Sequence, residues 1–360
     1  MDNRIAAYFN TAVRLIENYK GDIPLRHYLQ QYFSQNKKHG SKDRKQISHL
    51  CYLYFRLGHA LLDQPVEERL RAAIDSPVVV FPWKDLLSEG IDAVAFEQSF
   101  LQQPDLFIRI RPGYEKKVLQ KLDDNNISYQ QLSSTCLAFP NTTKLDAILD
   151  IDKEAVIQDY SSQRVGEFMS LNSTSAGADF QSVPLSLWDC CAASGGKSIM
   201  AYDLLKNPEL TVSDIRPSIL HNLKERFKRA GIKNYQSFTA DLSATNYQLP
   251  SKKYDLIIAD VPCTGSGTWA RTPEQLYFFK EEQIEHYAKL QRTIVSNVIP
   301  ALKPGGVLLY ITCSVFQQEN EQAAEFIKNK LGLHLDIMEV LKGYNNKADS
   351  MFIARFTNQL

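Results

Sequence analysis

Five short apolar runs in the second half of this chain each end on a group capable of chemistry. Residues 185–188 run into Asp189, 210–213 into Asp214, 235–240 into Asp241, 256–259 into Asp260, and 307–311 into Thr312-Cys313-Ser314. Runs of that length bounded by turn formers predict buried parallel strands. Helical patterns lie between them, so the expected fold is α/β, a doubly wound and mostly parallel sheet with a site across the carboxyl ends of its strands. The stretch YDLIIADVPCTGSGT, residues 254–268, is the centre of this pattern. An acid is followed by a proline that fixes the backbone, then by Cys263, then by Gly265-Ser266-Gly267, which must turn. A carboxylate and a thiol therefore leave one strand end together.

At 360 residues the chain is long for a single core, and two or three domains are expected. Lysine plus arginine equals aspartate plus glutamate at 41 each, which excludes a global basic field and leaves only a local patch for nucleic acid. The opening MDNRIAAYFN lacks a signal peptide's layout, and no apolar stretch is long enough to span a bilayer. A cytoplasmic monomer without membrane contact is expected. Six cysteines form no C-x-x-C pair and seven histidines show no ligand spacing, so no metal is expected. Buried free cysteine is mostly inert core, which suits Cys51 and Cys136. Cys263 and Cys313 differ, because they stand at strand ends beside proline, glycine and hydroxyls.

Three regions are expected. Residues 1–104 read as a helical region, with Ile47, Leu50, Cys51, Tyr54 and Leu57 at helical spacing after Ser41 as a cap. The basic cluster KKHGSKDRK, residues 37–45, is either a phosphate grip or a solvated face. Residues 74–104 read as a connection with some short helix. Residues 105–165 give β-α-β-β-α-β, with TKLDAILD as the second helix. That is the ferredoxin-like plan of RNA-recognition modules, though CLAFPN lacks their stacking aromatics. Residues 158–168 form a hinge, and 166–360 the doubly wound domain, closed by a terminal strand pair.

After the first strand of that domain comes CCAASGGKS, whose glycines would let a ligand approach the backbone at a helix start. Asp214 suits a ribose hydroxyl pair. The next helix has Pro217 near its start, Leu220, Leu223 and Phe227 on one face, and Gly231 as terminator. Its Lys224, Arg226, Lys228 and Arg229 read as solvated. A phosphate loop G-x-x-x-x-G-K-[ST] would need glycine where Cys191 stands and would leave Asp214 and both strand-end cysteines idle. A dinucleotide fingerprint G-x-G-x-x-G is absent. S-adenosylmethionine, with a ribose and an adenine but no phosphate, asks for what is present. Paired thiols suit methylation of cytosine carbon 5, which becomes nucleophilic once a thiolate adds to carbon 6.

The second half resembles the Fmu/Sun family of RNA cytosine-5 methyltransferases, through DVPCTGSGT, YITCSVFQQENE and DCCAASGGKS. QDYSSQ and SKDR also resemble family segments. The resemblance implies a Rossmann-like methyltransferase domain acting on RNA, most naturally ribosomal RNA. It makes Cys313 the nucleophile and Cys263 the releasing thiol, with Asp260 contacting base or cofactor and Lys197 near the site. It implies that Cys191, Ala192, Ala193, Ser194, Gly195, Gly196 and Lys197 form the cofactor loop, that Asp214 holds the ribose, and that Asp241 lies by the adenine. The family's A-A-P-G-G-K reads A-A-S-G-G-K here, Ser194 loosening the turn. The basic residue after the ribose acid is Ile219, with Arg216 as substitute, and ADSMF stands where D-G-F-F is common. An RNA-binding ribosome-assembly factor with weak or no catalysis is the alternative.

Overall fold

The computed structural model describes residues 3–169, 185–245, 247–248 and 251–359. Residues 170–184, at the start of the region expected to be doubly wound, lie outside the described residues.

Helices α1 (Asn3–Asn18), α2 (Leu25–Gln35), α3 (Ser41–Arg56) and α4 (Val66–Asp75) pack around Phe9, Leu29, Cys51 and Phe55. The cap of α3 is Gly40 rather than Ser41, and its amide donates to Asp43 Oδ2 at 2.8 Å. Asp43 also accepts from Tyr8 and Arg4 and is held down at about 2, chiefly by the Tyr8 hydroxyl. The acid within the basic cluster thus ties α3 to α1. Beyond α4, the expected connection carries α5 (Ala93–Ser99) and packs Phe81, Trp83, Phe96 and Phe100 onto Trp269, Phe279 and Phe316 of the second half. It is a shared aromatic core, not a linker.

Next come β1 (Leu106–Ile110), α6 (Glu115–Asp124), β2 (Gln130–Gln131), β3 (Cys136–Phe139) and β4 (Ala155–Ile157), in sheet order β2-β3-β1-β4 with β1 antiparallel to both neighbours. The strand order follows the ferredoxin-like plan, but the second helix is replaced by turns across residues 141–150. Leu145 and Leu149 still fill the core.

A short helix, α7 (Tyr160–Arg164), and a tight 3-10 turn lead into the large sheet. There β5 (Ser186–Asp189), α8 (Gly196–Leu204), β6 (Glu209–Asp214), α9 (Pro217–Ala230), β7 (Tyr235–Thr239) and β8 (Tyr254–Asp260) follow in turn. They are succeeded by α10 (Pro273–Phe278), α11 (Glu282–Val298), β9 (Leu302–Thr312), α12 (Glu321–Leu331), β10 (His334–Leu341) and β11 (Met351–Thr357). The order is β10-β11-β9-β8-β5-β6-β7, parallel from β9 to β7, with β11 antiparallel to both β9 and β10. Strand alternation sets the two faces. Leu187, Ile258 and Leu309 pack under α8 and α9, while Trp188, Ile257 and Tyr310 pack under α11 and α12. Burying each such side chain contributes roughly 1.5–3 kcal/mol, and a one-residue slip would expose a whole set, so register is fixed. Strand order reverses between β5 and β8, which opens a crevice at their carboxyl ends.

Candidate active site

Cys263 follows β8 and Cys313 follows β9, adjacent parallel strands paired through Asp260 and Ile311. The Cys313 amide donates to Cys263 Sγ at 3.3 Å. A hydrogen bond with Cys313, and then burial, push the Cys263 thiol well above its ordinary range. The loops carrying the thiols meet at Glu319. Its carboxylate accepts from the Thr264 amide at 2.9 Å, the Thr264 hydroxyl at 2.6 Å, Gln291 Nε2 at 2.9 Å, and the Ser314 hydroxyl. Glu319 is buried, and burial raises its carboxyl despite these donors. Asn320 accepts from Thr312 Oγ1 at 2.6 Å and donates to Ser314 O and Ser88 Oγ. Glu319 and Asn320 of the trailing E-N-E thus fasten the cysteine loops, while Glu321 accepts from Ser88 and Glu89.

Asp260, at the end of β8, accepts from Lys197 Nζ at 2.6 Å. Burial would lower the lysine, but the Asp260 carboxylate and nearby Cys313 outweigh it and raise Lys197. The Asp214 carboxylate takes four hydrogen bonds from two residues among those described. Ala193 N and Arg216 Nη2 reach Oδ2, and Arg216 N and Nε reach Oδ1, at 2.9–3.2 Å. Burial raises the Asp214 carboxyl, yet these donors prevail and hold it below the usual range. Arg216 therefore serves the acid rather than standing apart. Below the loop, Asp189 accepts from Ser198 Oγ at 2.6 Å, its other oxygen has no partner among the described residues, and burial pushes it to about 7.

The main cavity, about 870 Å³, is lined by Cys191, Ala193, Asp214, Asp241, Asp260, Cys263 and Cys313 among others. It brings together the two thiols and the three strand-end acids assigned to cofactor or base. Ala192, Ser194, Gly195, Gly196 and Lys197 are not among its lining residues. Gly195 answers a packing demand of its own, whereas a Cβ on Gly196 would meet only Arg226 Nη1, at 3.9 Å. Gly195 has φ +81°, and a Cβ there would lie 2.7 Å from Phe227 on α9. Arg226 is not a solvated cation, since it clasps the buried Asp152, which the half-exposed Arg229 also holds. Asp241 takes the Ser243 amide at 3.0 Å and stays exposed.

The sequence reading missed one wall. Tyr19, Gly21, Asp22, Ile23 and Pro24, between α1 and α2, line the cavity with Gln275, Phe278 and Tyr287 of α10 and α11. The break in the helical pattern at Gly21–Pro24 marks a turn, but only tertiary packing carries it to the cavity. The segments QDYSSQ and ADSMF, far apart in sequence, also meet. Arg271 bridges Asp159 and Asp349, and burial beside Asp159 pushes Asp349 to about 7.

This sheet order, with a cofactor-sized crevice at the strand reversal, defines the Rossmann-like methyltransferase fold. Residues 184–357 match the family described as 16S rRNA methyltransferase RsmB/F. These residues are a domain of that family, to which the Fmu/Sun-like motifs belong. Ribosomal RNA small subunit methyltransferase B of Shewanella oneidensis is 32% identical over 151 residues, 42% of this chain and 35% of that protein. Methyltransferase F of Aeromonas salmonicida is 33% identical over 147 residues, 41% of this chain and 31% of that protein. The matches thus span about a third of the length of these curated relatives. Among solved structures, PH0851 superposes with TM-score 0.72 at 18% identity, covering 98% of both chains. NSun6 from Pyrococcus horikoshii with SFG gives 0.63 at 16% identity, over 77% of this chain and 96% of that one. These likenesses carry the fold, including the domains before the large sheet. No described helix is long and apolar enough to cross a membrane.

Proposed function

We propose that this chain is a cytoplasmic RNA cytosine-5 methyltransferase that acts on ribosomal RNA, as a monomer, with S-adenosylmethionine as donor. The observation that carries the reading is the pair Cys263 and Cys313, held side by side on the wall of a cavity shared with Asp214 and Asp260. The names of the curated relatives support ribosomal RNA as the substrate class.

The residues present fit the donor. Asp214 offers an ionised acid for a ribose, the half-exposed Ile215 and buried Leu242 offer apolar surface for an adenine, and all three line the cavity. Lys197, which a phosphate loop would aim at a nucleotide, is committed to Asp260, which counts against a nucleotidase. When bound, the donor supplies an electrophilic methyl group on a sulfonium. Cys313, as thiolate, would add to carbon 6 of a flipped cytosine and push electron density onto carbon 5. Asp260, which Lys197 holds at 2.6 Å, would accept from the base's amino group. Transfer of the carbon 5 proton to the Cys263 sulfur, acting as base, would then restore the ring double bond while the carbon 6–sulfur bond breaks and Cys313 leaves as thiolate.

The test is transfer of a labelled methyl group to small-subunit ribosomal RNA, followed by digestion to nucleosides. Label in 5-methylcytidine is expected. Label in another nucleoside, or RNA binding with no transfer, would contradict the proposal, the latter favouring an assembly factor.

A further inference from the structure

The cofactor loop contains a strained residue held from two sides. Ala193 has φ +46°, a left-handed conformation that residues with a Cβ adopt only when their surroundings over-determine it. On one side, the Ala193 amide donates to Asp214 at 3.0 Å. On the other, Arg226 Nη1 donates to Ser194 O at 3.1 Å and Ser194 Oγ at 3.0 Å.

Arg226 is itself not free to choose its position. Its Nε and Nη2 both reach Asp152 Oδ1, at 2.9 and 2.8 Å, and Arg229 grips Oδ2 through Nε and Nη2 at 3.1 and 2.8 Å. Asp152 belongs to the turn before β4, in the four-stranded domain. It is 2% exposed and has φ +71°. Arg111 of that domain fastens the same turn, donating to Asp152 O at 3.0 Å and to Ala230 O, at the end of α9, at 2.7 Å. A chain of charge-assisted, largely buried hydrogen bonds therefore runs from the ferredoxin-like domain through Arg226 to the loop. Such forked arginine–carboxylate bonds fix orientation as well as distance.

We propose that Arg226 is a positioning residue for the cofactor loop, aimed by Asp152, so that the four-stranded domain sets the shape in which residues 191–197 receive the methyl donor. The Ser194 side chain then does not loosen the turn; its hydroxyl is a handle that Arg226 holds. The inference rests on the donor reading given above. Arg229 supplies the control, because it shares Asp152 but does not reach Ser194.

The test compares Arg226→Gln, Arg229→Gln and Ser194→Ala by two readouts on the full chain. In hydrogen exchange without ligand, Arg226→Gln should speed exchange in the peptide spanning 190–197 by about tenfold or more, while Arg229→Gln leaves it within about twofold. In titration with S-adenosylhomocysteine, Arg226→Gln should weaken binding by about tenfold and Ser194→Ala by about threefold. Ser194→Ala should add nothing in the Arg226→Gln background, since the partner is already gone. Equal effects of the two arginine variants on exchange, or additive effects of Arg226→Gln and Ser194→Ala, would overturn the proposal. If the unaltered chain fails to bind S-adenosylhomocysteine, the donor reading falls, while the exchange comparison still decides the brace.

Discussion

Glu319 takes the Thr264 hydroxyl at 2.6 Å, and by that bond the loop after β8 is fastened to the loop after β9. Glu319 is fully buried and also holds Ser314, the neighbour of Cys313. Removing the carboxylate leaves the Thr264 amide without its acceptor and takes one partner from each of two hydroxyls and Gln291. Glu319→Ala should destabilise the domain by about 3 kcal/mol or more, since unsatisfied buried partners cost roughly 1–3 kcal/mol each. Glu319→Gln, which keeps the shape, should fold at smaller cost yet lose methyl transfer by about tenfold or more, because the thiol pair slackens. Urea unfolding and single-turnover transfer measure the two; a Glu319→Gln enzyme of full activity would refute the fastening role.

Gly267 is the second constraint on the nucleophile. Its amide donates to Cys313 O at 2.8 Å and its carbonyl accepts from Ser350 N at 2.8 Å. A Cβ there would lie 1.9 Å from Ser350 O, so Gly267→Ala must push apart the backbones that hold Cys313. We expect a loss of about 2 kcal/mol or more in stability and a fall in transfer beyond what stability explains, with donor binding retained. Unchanged transfer would show that this backbone lacing does not position the thiol.

Asp189 predicts a pH dependence. Its folded pKa, about 7, stands above an unfolded value near the ordinary 3.8, because burial disfavours the charge. The folded state therefore binds the proton more tightly, and the stabilisation is full below about pH 4 and is lost as pH rises to about 7. Asp189→Asn should abolish this slope, so that between pH 4.5 and 7.5 the native chain loses a few kcal/mol relative to the variant, on the order expected from that shift. Parallel urea-derived stabilities for the two across that range would contradict the account.

The large fold was legible because parallel strands buried on both faces write themselves as short apolar runs, and those ending at Asp189, Asp214, Asp260 and Cys313 lie where the apolar pattern stops. The strand before Asp241 stops earlier, at Thr239. The fates of Arg226 and Arg229 were not legible, because a cation on a helix reads as solvated unless a partner from another domain is known. Asp152, seventy-odd residues away, gave no local sign. The packing demand at Gly195 was hidden for a similar reason: a glycine required by the close approach of Phe227 looks, in sequence, like one required by a ligand. The wall at Gly21–Pro24 depends wholly on how the helical region docks.

The central claim is that Cys313 bonds transiently to a pyrimidine ring and Cys263 releases it. Its most direct measurement is denaturing electrophoresis of the Cys263→Ala and Cys313→Ala chains after incubation with small-subunit ribosomal RNA and S-adenosylmethionine. The account predicts that Cys263→Ala accumulates a protein–RNA adduct stable to denaturant, and that Cys313→Ala forms none and transfers no methyl group. Normal turnover by Cys263→Ala, or methylation by Cys313→Ala, would contradict it.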